Sequence, residues 1–133
     1  KLVDKFVIFG VRACDLKSFE VLDKVFLAEP VDTMYQNKRE NGIIFTLSCN
    51  NPQSSCFCKN FGIDPANPMG DVECHLVGEY LYLDAKTEKG AEVLNALTCL
   101  ENANETDVND NKKSIQEKVE KLPFIFIERD NIG

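Results

Sequence analysis

Two short runs of apolar side chains stand out along the chain. Residues 5–11 read Lys-Phe-Val-Ile-Phe-Gly-Val and residues 42–47 read Gly-Ile-Ile-Phe-Thr-Leu. Such continuous stretches of aromatic and β-branched residues predict strands buried on both faces of a parallel sheet. Between them, Leu16, Phe19, Leu22 and Phe26 recur at spacings of three and four. That periodicity predicts an amphipathic helix over 15–27, with Asp15 as its N-cap. Pro30 ends the region, and 32–41 suits a shorter helix with a charged face. Strand, helix and strand together predict a right-handed βαβ unit. Residues 49–70 carry Pro52, Gly62, Pro65, Pro68 and Gly70 and read as a long loop. Residues 72–85 alternate around Gly78, the pattern of a hairpin. A helix over 88–100, with Val93, Leu94 and Leu97 on one face, precedes an Asn- and Asp-rich loop over 102–111. A further helix over 115–122 and a last strand over 124–127 complete the reading. The expected fold class is α/β: a mixed, mostly parallel sheet with flanking helices in one small βαβ-based domain.

Composition narrows the function classes. The 133 residues fit one domain, and 44% hydrophobic with 28% charged residues is an ordinary globular balance. No apolar run approaches the roughly 18 residues of a membrane span. A net charge of −7 argues against nucleic acid and anionic membrane surfaces as partners. The chain opens on Lys1 and shows no signal-peptide pattern. The expectation is therefore a cytoplasmic piece of a longer protein. In a reducing compartment its six cysteines are ligands or buried thiols rather than disulfides.

Four of those cysteines share a geometric logic. Cys14 follows the first strand, just before the expected helix N-cap, and Cys49 follows the second strand. In a right-handed βαβ unit both strand ends meet at one sheet edge, where open α/β sheets place ligands. Cys56 and Cys58 lie in the loop leaving Cys49, and residues two apart in an extended segment point the same way. Four sulfurs can thus converge at one edge, with Phe57 and Phe61 near enough to exclude water. Soft thiolate sets suit Fe–S clusters and structural zinc alike. The spacing, one distant Cys followed by C-x₆-C-x-C, matches neither zinc-finger arms nor a ferredoxin run, so the metal stays open between the two. A buried free thiol is the commoner fate of any single Cys. Cys74, in an alternating strand, and Cys99, on an apolar helix face, are read that way.

The lone histidine, His75, is expected to point outward from its strand, and no nucleophile–base set can be built around it. Neither a G-x-G-x-x-G nor a P-loop motif is present. Lys17 and Lys59 read as ordinary surface charges. Arg12, two residues before Cys14 and beside a strand, is placed to favour negative charge on the thiolates.

Val7 to Phe26, containing Val-Arg-Ala-Cys-Asp-Leu, resembles the V-R-P-C-D-L-x-A-L-x-x-L-D-x-V-F block of a family of iron–sulfur electron-transfer subunits, those of the anaerobic sulfite reductases and the beta subunits of cytoplasmic sulfhydrogenases. Cys49-Asn-Asn-Pro-Gln-Ser-Ser-Cys56-Phe-Cys58 resembles the second block of this 4Fe-4S dicluster family, C-x-x-P-x-x-x-C-F-C. The match covers the first half of the chain, with Ala13 where the family has Pro; residues 88–90 fit more loosely. The resemblance implies an electron-transfer domain of an anaerobic oxidoreductase complex, with a [4Fe–4S] cluster on Cys14, Cys49, Cys56 and Cys58 and with Arg12 and Phe57 beside it. It implies catalytic and redox subunits as partners, and a downstream two-cluster ferredoxin domain that residues 1–133 do not contain. The alternative is a zinc-binding or metal-free docking domain that holds the ferredoxin domain on its catalytic partner.

Overall fold

The computed structural model describes residues 4–122, so the strand expected over 124–127 lies outside the described residues. Four strands form one sheet in the order β1 (Phe6–Val11), β2 (Gly42–Leu47), β3 (Val72–Val77), β4 (Tyr80–Ala85). β1 and β3 both run parallel to β2, while β4 returns antiparallel to β3 through Gly78 and Glu79. Four helices flank the sheet: α1 (Ala13–Phe26), α2 (Thr33–Asn41), α3 (Glu88–Ala96) and α4 (Glu105–Glu120). The α/β class and the mostly parallel, mixed sheet are as the sequence predicts.

Alternation along the strands divides the sheet into two faces. On one, Ile43, Phe45, Val72 and Cys74 form the core cluster, with Leu47 and Leu83 beside them and Val93 and Leu94 of α3 packed on top. Gly90 lets α3 approach closely: a Cβ there would stand 2.0 Å from the Asp71 carbonyl oxygen. On the other face, Phe6, Ile8 and Ile44 line a groove with Phe19 of α1 and Tyr35 of α2. The same face carries Glu73 and His75, against which α4 lies, with Ile115 fully buried.

Several elements depart from the sequence expectation. β1 is an edge strand rather than a doubly covered one: Val7 and Phe9 are 51% and 58% exposed, whereas β2 is buried almost throughout. α1 begins at Ala13, and Asp15 sits in its first turn, not before it. Its carboxylate reaches back to accept the Arg12 backbone N–H at 3.3 Å, the N3 half of a capping box. α3 ends at Ala96, which leaves Cys99 exposed rather than packed on a helix. The segment expected as a loop over 102–111 is mostly helix, because the Asn104 side chain caps α4 by accepting the Thr106 N–H at 3.0 Å.

Candidate metal centre

The site is built where β1 and β2 end. Gly10, at φ +89°, interrupts the β1 register between Phe9 and Val11. Glycine adopts that backbone conformation without the steric cost a Cβ would add. The irregularity turns the chain so that Arg12 leads into α1 with Cys14 in its first turn. The positive end of the helix dipole lies there and favours negative charge. Arg12 Nη1 donates to the Ser48 carbonyl at 2.9 Å, joining the residue before Cys49 to the residue two before Cys14. One guanidinium thus fixes the ends of the two strands against each other.

Beyond Cys49 the loop folds on itself. Cys49 N–H donates to the Pro65 carbonyl at 3.1 Å. The backbone N–H of Gln53 donates to Cys56 Sγ at 3.2 Å, and Cys56 N–H returns to the Gln53 carbonyl at 2.9 Å. Cys58 is buried and begins a single 3₁₀ turn over Lys59–Phe61. All six cysteines are free thiols. The Cys58 thiol is pushed up to about 11, first by burial and then by the charges of Cys14, Cys56 and Cys49. Cys14, Cys49 and Cys56, the other three cysteines singled out from the sequence, therefore each lie within electrostatic reach of Cys58. Among the described residues, no three His, Cys, Asp or Glu side chains are gathered for a single metal ion.

The aromatic pair behaves differently from its expectation. Phe57 and Phe61 meet edge to face with centroids 5.5 Å apart, yet they are 51% and 68% exposed. In this chain alone they do not close the site over the thiols. Lys17 is an ordinary surface residue paired with Glu20. Lys59 is not, for its ammonium donates to the Glu120 and Leu122 carbonyls at the end of α4.

The first half of α4 escaped the sequence reading, and three side chains of the helix bond to the loop. Lys118 Nζ donates to the Asn50 carbonyl at 2.8 Å, Asn111 Nδ2 to Asn50 Oδ1 at 3.2 Å, and Gln116 Nε2 to Asp64 Oδ2 at 3.3 Å. Asn111, Ile115 and Lys118 follow the i, i+4, i+7 pattern of one helix face, the only sequence signal that foreshadows this packing.

His75 also corrects its expectation. It is 1% exposed, not outward. Its Nε2–H donates to Glu73 Oε1 at 2.7 Å, and Lys112 Nζ stands 3.3 Å from the same oxygen. Burial alone would raise the Glu73 carboxyl, but the His75 hydrogen bond and the Lys112 charge outweigh it and hold the carboxyl low. A cavity of about 300 Å³ borders His75, Tyr82, Asp84, Asn109 and Lys112. Cys74, in contrast, is the core thiol that the strand pattern implies.

Comparison with known proteins adds one relative. Over 88 residues, 66% of this chain, the sequence is 39% identical to the sulfhydrogenase 2 subunit beta of Pyrococcus furiosus. The chain is similar to a sulfhydrogenase beta subunit. The matched stretch spans 26% of that relative, so the chain covers about a quarter of its length. No protein-family model and no solved structure matches the chain. Among the described residues, no helix is long and apolar enough to cross a membrane.

Proposed function

We propose that this domain is an electron-transfer module of a sulfhydrogenase- or sulfite-reductase-type complex, and that Cys14, Cys49, Cys56 and Cys58 hold a [4Fe–4S] cluster. The observation that carries the reading is that Cys14 and Cys49, which follow the ends of β1 and β2, and Cys56 all lie close enough to Cys58 for their charges to act on its thiol. The donor set fits the group, since four thiolates are what such a cluster takes. A single ion and a cluster ask for different sulfur spacings. One tetrahedral ion with bonds of about 2.3 Å holds its sulfurs within about 3.8 Å of each other. A four-iron cluster gives each thiolate its own iron and spreads the sulfurs further. When bound, the cluster supplies one-electron redox chemistry. The chain's own residues set its surroundings: Arg12 and the first turn of α1 favour the negative charge that thiolates bring.

The similarity to a sulfhydrogenase beta subunit supports partners of the same kind, namely the catalytic and redox subunits of an oxidoreductase complex. About three quarters of that relative lies beyond the match, room for the ferredoxin-type domain that we place after this one in a cytoplasmic protein. The exposed Phe57 and Phe61 then form part of the face that meets a neighbour.

Anaerobic purification with iron supplied tests the reading. The expected product is brown, with broad visible absorbance and about four irons per chain. Colourless protein that carries zinc in place of iron would instead favour the docking-domain alternative.

A further inference from the structure

The cysteine loop has little regular structure of its own, so something else must hold Cys49 in place. Its neighbour Asn50 is gripped from two elements. Asn50 Nδ2 donates to the Leu76 carbonyl of β3 at 2.9 Å, while α4 supplies Asn111 to the side chain and Lys118 to the carbonyl. These partners lie far from Asn50 in sequence, so only the folded chain assembles them. Lys118 adds more than a hydrogen bond. Its partner is a neutral carbonyl, and no carboxylate among the described residues forms an ion pair with it. Its ammonium thus rests on the Asn50–Asn51 peptide, one residue beyond Cys49, in a solvent-exposed contact.

We propose that Lys118 is a positioning residue of the metal centre, holding the Asn50–Asn51 peptide next to Cys49 and biasing the centre toward its reduced form. The proposal rests on the cluster reading above. Reduction adds one negative charge to the centre, and a fixed cation nearby stabilises the more negative state. The electron comes from a one-electron donor of the ferredoxin class and passes on to the partner protein, and no bond is made or broken at Lys118.

The test compares Lys118→Gln with Lys118→Arg in the intact protein, loaded anaerobically with iron and titrated potentiometrically. Lys118→Gln should lower the equilibrium constant for one-electron reduction about threefold to tenfold, a negative shift of up to about 59 mV, with iron content unchanged. Lys118→Arg, which keeps the charge and the donor, should restore the wild-type potential. An unchanged potential in Lys118→Gln at full iron content would overturn the charge role. If the wild-type protein binds no iron, the cluster reading itself has failed. Amide exchange over residues 49–58 of the metal-free protein then decides whether Lys118 holds the loop. Lys118→Gln should speed it at least about fivefold, and unchanged exchange would overturn the anchoring role.

Discussion

Cys58 and Cys74 are both buried thiols pushed up to about 11, and they get there by different routes. Cys74 sits in the core cluster among Ile43, Phe45 and Val72. Burial raises it first, and the nearby Glu73 charge adds to that. Cys58 is raised first by burial as well, but its other contributors are three more cysteines. Equal acidity therefore hides opposite meanings. One thiol is a small apolar side chain in a sheet core, the other the most enclosed member of a thiol group that a soft metal would relieve of its mutual repulsion. The company each cysteine keeps, not its burial, sets the two apart.

The largest effect expected from breaking this contrast is on metal content. Cys58→Ser should remove more than about half of the iron bound by anaerobic protein, while Cys74→Ser should leave it unchanged by iron and sulfide analysis. Next comes Glu73→Gln, which removes the buried carboxylate that His75 and the half-buried Lys112 share. It should cost about 2–3 kcal/mol in chemical denaturation at neutral pH without altering iron binding.

The sign of the pH dependence follows from the same residue. The folded Glu73 carboxyl lies below its ordinary value of 4.5, so its contribution is fully present above that value. It is lost as pH falls through the lowered folded value, and Glu73→Gln should flatten that part of the acid limb of the stability curve. The variant should also let the Cys74 thiol titrate lower while leaving Cys58 where it is, which a thiol-reactivity profile against pH would read. Cys74→Ala, a pure packing loss, should cost about 1 kcal/mol. Smallest of all, Lys17→Ala breaks only an exposed pair and should change neither stability nor metal content measurably.

Much of the fold was legible because apolar runs and alternation act locally. The β2 run, the Gly78 hairpin and the Asp32-capped α2 are all where the pattern puts them. Cys14 and Cys49 were legible as residues that follow β1 and β2, because the end of a strand fixes where the next residues go. What the sequence hid depends on neighbours. The β1 run looks as buried as β2, yet it has a strand on one side only. Asn104 and the acids after it look like loop composition, although the same residues cap and start a helix. His75 looks like a polar strand residue until Lys112 and Glu73 enclose it from a distant helix and from its own strand. Lys59 looks like a solvated charge, and Lys118 draws no notice, because their partners are backbone carbonyls, which no sequence pattern marks.

The central claim is that Cys14, Cys49, Cys56 and Cys58 surround one iron–sulfur centre. Iron-edge X-ray absorption on anaerobically prepared protein tests it most directly. The account predicts an all-sulfur first shell together with an iron–iron vector, both lost in Cys58→Ser and retained in Cys74→Ser. Nitrogen or oxygen ligands, a first shell with no iron–iron vector, or a spectrum indifferent to Cys58 would contradict it.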